Sequence, residues 1–195
     1  MEGRVRSAGE LGFVGVVVQL LGLLPVGLLT PVGFLLELVA LRRLSEAFNS
    51  SSIWSNAWRA VVFAVVAAAL FEAGLFIFLL RWPSLPLDYR SPLHLLFLFL
   101  AVFSLFVGVY EFVVLAGSYY RDVYRELAGL SGVAEFEAAA RWTWRGASLF
   151  AAFVGGPLAL VGRVYALLGY RSLRGWDGLE RWRPGWWGGW MVGAA

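Results

Sequence analysis

The apolar residues of this chain fall into long runs, each broken at a few identifiable points. A bilayer core of roughly 30 Å takes about 20 apolar residues per helix. The run from Leu11 to Leu41 carries a single charge, Glu37, and is too long for one span. Pro25, Gly27 and Pro31 break it in the middle, since proline ends or kinks a helix and Gly/Pro clusters mark turns. The pattern predicts hydrophobic helices over 9–24, 28–44, 53–80, 92–118, 136–153 and 157–170, the last two separated at Gly155, Gly156 and Pro157. A polar surface helix is expected over 119–130. The first, second and sixth helices are short for full spans, so each broken pair can also be read as a re-entrant hairpin. The first run is longer than a signal-peptide core and no small-residue cleavage site follows it, so it is read as a retained helix.

Composition fixes the class. Of 195 residues 60% are hydrophobic and 15% are charged, with a mean hydropathy of +0.73, against roughly 25% charged in an ordinary soluble domain. These values exclude a soluble enzyme domain, a disordered chain and a nucleic-acid-binding module, despite a pI near 9.6. The fold class expected is an all-α polytopic transmembrane bundle of about six hydrophobic helices. Residues 1–172 form the membrane domain and 173–195 a Trp/Arg-rich tail. Asn49, Asn56 and Gln19 are the only side-chain amides, and cysteine is absent, a scarcity of thermolabile residues typical of thermophiles.

Charge then orients the bundle. All 16 basic residues are arginine. Alternating the sides from the N-terminus puts thirteen of them on one face, Arg81 and Arg90 on the other, and Arg163 within a helix. By the positive-inside rule both termini are cytoplasmic, whether the broken pairs span or re-enter. Arg42, Arg43, Arg121 and Arg125 would meet anionic lipid headgroups at that face. Trp176, Trp182, Trp186 and Trp187, set among arginines in the tail, suit a segment lying in the headgroup layer or a docking site for a partner.

Ionisable residues inside a bilayer are costly and usually face protein or water. Four stand out: Glu37, Glu72, Glu111 and Arg163. Glu72 continues the stripe Ala60, Ala64, Ala68. Glu111 continues Ala101, Ser104, Gly108. Glu37 shares a face with Gly33 and Ala40. Small residues at helical spacing allow close helix approach, so all three carboxylates are expected at helix contacts. Glu111 and Arg163 each lie about 12 Å from the cytoplasmic boundary, which predicts an ion pair between them. Glu37, about 7.5 Å deep, could share Arg163, and Glu72, about 20 Å deep, has no evident partner. Such groups serve either as a structural salt bridge or as a proton or cation relay through Glu72, Glu111 and Glu37.

Site chemistry is otherwise absent. His94 is the one histidine, and a zinc site needs three or four ligands. Asp88, Asp122 and Asp177 lie outside the apolar core, and Ser104 has no companion base. No nucleotide-binding, metalloprotease or nucleophile-elbow motif occurs. The chain is therefore expected to be non-catalytic, without metal or cofactor. Its expected role is an accessory, scaffold or packing subunit of the cytoplasmic membrane, with a small transporter or channel as the alternative. Expected partners are membrane lipids and a second copy or a partner membrane subunit, but no nucleic acid.

An offset of 129 residues superposes the second predicted helix on the sixth. It matches Leu29 with Leu158, Val32 with Val161, Gly33 with Gly162, Leu38 with Leu167, Arg42 with Arg171 and Leu44 with Leu173. This suggests two similar hairpins flanking the long helices. The first break is followed by Arg42, Arg43, Leu44, Ser45, Phe48, Asn49, Ser52, Ile53, Trp54, Asn56 and Ala57. With the later stretch YYRDVYRELAGLSGVAEFEAAARW, that pattern resembles a mainly archaeal family of predicted membrane proteins, domain of unknown function 996. The resemblance covers roughly residues 8–172. It implies the helical membrane fold and brings no activity.

Overall fold

The computed structural model describes residues 2–22, 29–81, 92–152 and 154–175. Among the described residues it contains six helices and no strand. They are α1 (Glu2–Leu21), α2 (Leu29–Ala47), α3 (Ser51–Arg81), α4 (Pro92–Ser131), α5 (Ala134–Ser148) and α6 (Gly155–Leu173), with a 3₁₀ turn at Phe150–Ala152 before α6. Each helix packs on its neighbours in sequence, and α6 packs on α1. The result is a closed ring of three hairpins, α1–α2, α3–α4 and α5–α6.

Glycines set how closely the hairpins pair. A Cβ on Gly33 would lie 2.6 Å from the Gln19 backbone nitrogen, and one on Gly15 would lie 2.7 Å from that of Glu37. Gly162 makes the corresponding approach to α5, where a Cβ would lie 2.8 Å from the Thr143 nitrogen. Gly33 and Gly162 are partners under the 129-residue offset. At both places the missing side chain lets two backbones touch.

The six helices differ in length. At 1.5 Å per residue α3 and α4 extend about 46 and 60 Å, and the others about 22–30 Å. The lower parts of α3 and α4 therefore join the ring, and their upper parts stand above it. Ile53, Ala57 and Ala60 of α3 and Tyr120, Val123, Tyr124 and Leu127 of α4 enter a common core with Val5, Ala8, Leu41, Leu44, Phe136, Ala140, Tyr170 and Leu173. Both α3, over Ser51–Leu80, and α4 are long and apolar enough to cross a membrane, and only 6% of the most apolar stretch of each is buried within the protein.

The α2–α3 turn explains part of the polar signature after the first hairpin. Asn49 takes a left-handed backbone, φ +51°, which asparagine tolerates better than most residues. The Ser45 hydroxyl donates to the Ser50 carbonyl at 2.6 Å. The Ser50 and Ser52 hydroxyls both donate to the Glu126 carboxylate, tying the turn to α4.

Three sequence expectations change. The surface helix over 119–130 is the last part of α4. Gly117, beside Ser118, lies against Ala147 of α5 within the unbroken helix, and Tyr120, Val123, Tyr124 and Leu127 follow the i, i+3, i+4, i+7 spacing of a core stripe. The fifth helix, expected over 136–153 as hydrophobic, is the 15-residue α5, which carries Glu135, Glu137, Arg141 and Arg145. It is too short and too polar to span a bilayer. Helix α1 begins well before residue 9, because Val5 and Ala8 bury one face of a turn whose other residues are polar and exposed.

Candidate functional site

The centre of the ring is polar. Glu37, on α2, is completely buried and accepts hydrogen bonds from three other helices. Gln19 Nε2 of α1 donates to Oε2 at 2.8 Å. Arg163 Nη1 of α6 donates to the same oxygen at 2.8 Å. The Tyr124 hydroxyl of α4 donates to Oε1 at 2.7 Å, and Tyr170 of α6 reaches it at 3.4 Å. A carboxylate offers about four lone-pair sites, and here four donors meet them. An ion buried this deeply persists only when paired and hydrogen-bonded.

Arg163 is held as firmly. Its Nη1 also donates to the Tyr124 hydroxyl at 3.0 Å. Its guanidinium lies over the rings of Tyr120, 4.6 Å from the centroid, and Phe34, 5.1 Å away. These are cation–π distances. Phe34 is the residue that the 129-residue offset pairs with Arg163. Among the described residues, Gln19 Oε1 is buried without a hydrogen-bond partner, as is the Thr143 hydroxyl.

Above this network lies an open cavity of about 420 Å³. Its walls come from α2 through α6 and are mostly small or apolar, among them Ala64, Ala68, Val113, Ala116, Ala147 and Ala159. Arg163 and Tyr120 also line it, and the Arg163 side chain is 16% exposed. The cavity therefore meets the cationic member of the pair, while Glu37 stays sealed beneath.

The four ionisable candidates thus separate. Glu37 and Arg163 form the central pair. Glu111 is exposed on the outer face of α4 and makes no ion pair with Arg163, contrary to the pairing expected from depth. Equal depth does not place two residues on facing sides: Val109, Val113, Ala116 and Tyr120 turn inward, and Glu111 sits between them on the opposite side. Glu72 is exposed on α3 and does not line the cavity. The stripe Ala101, Ser104, Gly108 meets no neighbouring helix, since a Cβ on Gly108 would touch nothing within 4 Å. The expected helix contact at Glu72 and Glu111 is therefore corrected.

At the rim, Arg42 is exposed and pairs with Glu46 at 3.4 Å, and its guanidinium lies over Trp54. Arg43 and Arg125 are exposed. Arg121 bonds Asp122 at 3.0 Å and lies 4.8 Å from the Trp144 centroid. Asp122 thus pairs with its neighbour in sequence. Trp176, Trp182, Trp186 and Trp187 fall outside the described residues.

Sequence reasoning missed Gln19, Tyr120, Tyr124 and Tyr170. A signal existed for each: Gln19 is the sole glutamine in an apolar run. Tyr120 and Tyr124 are one helical turn apart, and Tyr170 lies seven residues after Arg163 on the same helix face.

Comparison with known proteins adds a family without an activity. A family model described as protein of unknown function (DUF996) matches residues 29–164. The uncharacterised protein MJ1644 of Methanocaldococcus jannaschii is 26% identical over 172 residues, which cover 87% of this chain and 93% of that protein. No solved structure matches the chain significantly.

Proposed function

This chain belongs to the DUF996 family, whose function is unknown, and from that premise we propose that it is a non-catalytic integral membrane protein, an accessory or packing subunit of the cytoplasmic membrane. Residues 1–172 are its membrane domain. The α3–α4 hairpin crosses the bilayer, both termini are cytoplasmic, and the Trp/Arg tail lies in the headgroup layer.

One observation carries this reading. The upper α3–α4 hairpin exposes Phe71, Phe76, Ile77, Leu79, Leu93, Phe97, Phe99 and Phe103. Contiguous apolar surface of that extent calls for lipid or another protein. The central ion pair supports a structural role for the polar core, because every lone pair of Glu37 already has its donor.

The cysteine-free chain suits topology mapping. Single cysteines at Ser7 and Asn49 should react with an impermeant maleimide only after permeabilisation, and one at Asp88 in intact cells. The reverse pattern would overturn the orientation. Gentle-detergent purification should bring down a defined membrane partner, and a monomer free of other protein would overturn the accessory role.

The cavity reaching Arg163 favours a second reading, a small proton or cation transporter. For a relay, Glu72 and Glu111 stand in the wrong place, as neither lines the cavity. Glu72→Gln in liposomes under a pH gradient should leave proton flux unchanged, and a loss of flux would favour transport.

A further inference from the structure

The cavity above Arg163 has the form of a ligand site. Its volume of about 420 Å³ falls within the roughly 300–1,000 Å³ range of small-molecule pockets. Its long walls are alanine, glycine, valine and phenylalanine, which suit an aliphatic chain. Arg163 supplies the polar end. Its two shortest hydrogen bonds leave from Nη1 and Tyr120 is a third partner, which leaves two of the five N–H donors of a guanidinium. Among the described residues no carboxylate or carbonyl accepts from those two.

Charge narrows the head group. The Arg163 charge is already matched by Glu37 at 2.8 Å. An anionic head would be desolvated here without a counter-ion of its own, and a cationic head would meet the guanidinium. An uncharged acceptor such as a hydroxyl, ester or ketone satisfies the remaining donors at no such cost.

We propose that the cavity holds one chain of a neutral membrane amphiphile, with its uncharged head accepting hydrogen bonds from Arg163. The ligand comes from the surrounding bilayer, so the inference rests on the membrane reading, and the two fail separately. Extraction of the protein from membranes by alkaline carbonate would overturn the membrane reading. Retention in the membrane without probe binding would overturn the ligand alone.

The test uses the full chain in detergent micelles, with monoolein, oleate and oleylamine as probes and native mass spectrometry as readout. Monoolein should bind one to one, at least tenfold tighter than either charged probe. Ala64→Phe, which fills the cavity, should weaken monoolein binding at least tenfold. Should that variant not fold, Ala68→Phe at the same wall serves instead. A diazirine-bearing monoolein should label cavity residues such as Val113 and Ala159. Absent monoolein binding, tighter binding of oleate, or labelling confined to outward residues such as Phe76 and Phe97 would each overturn the proposal.

Discussion

The lower ring and the upper hairpin share the helices α3 and α4 and treat their side chains in opposite ways. Below, Ile53, Ala57, Tyr120 and Tyr124 are buried among six helices, and a carboxylate can be ionic because four donors reach it. Above, Phe76 and Phe97 are 63% and 68% exposed, and the carboxylate at Glu72 has no partner helix. Hydropathy alone does not separate these halves, since both are apolar. What separates them is whether α1, α2, α5 and α6 are long enough to reach. Burial inside protein tolerates a buried ion when the partners are supplied, and an outer apolar face needs lipid or another subunit.

The largest expected effect lies at the ion pair. Arg163→Met should cost about 3–5 kcal/mol of unfolding free energy in mixed micelles, because Glu37 is left buried and unpaired. The double variant Glu37→Met with Arg163→Met should recover most of that loss. A double variant no better than the single one would mean that the network is held by something other than charge pairing. Next, Tyr124→Phe removes one donor to the carboxylate and should cost about 1.5–3 kcal/mol. Gly33→Val forces α1 from α2 at their closest approach and should cost about 1–3 kcal/mol. The smallest effect belongs to the hairpin: Glu111→Gln should stay within about 0.5 kcal/mol in the same assay, as expected for an exposed side chain. A large loss there would reveal a contact that the ring does not provide.

The helices were largely legible in the sequence and the contrast between ring and hairpin was not, for physical reasons. Long apolar runs and Gly/Pro breaks locate helices because the bilayer and the backbone impose them. Small residues were ambiguous: Gly33 lies against α1, whereas Gly108 has the same pattern and no neighbour. A small residue permits close approach without supplying the second helix. Depth arithmetic placed Glu111 and Arg163 at one level but could not assign the side of the helix facing inward. Gln19 and Tyr124 stood out in the sequence, but their pairing with Glu37 was unreadable because it spans 18 and 87 residues. The polarity of the stretch after Ser118 disguised a core stripe, since Tyr120 and Tyr124 bury their rings and Tyr124 spends its hydroxyl on the carboxylate.

The central claim is that the upper α3–α4 hairpin faces lipid while the ring below is sealed protein. Because the chain lacks cysteine, nitroxide labels can be placed singly at Phe76, Phe97, Leu41 and Val123 in liposome-reconstituted protein. Their collision rates with oxygen and with a water-soluble nickel chelate are then read by power saturation. Labels at Phe76 and Phe97 should collide often with oxygen and rarely with nickel, and those at Leu41 and Val123 rarely with either. Frequent nickel collisions at Phe76 and Phe97 would place the hairpin in water and contradict the account.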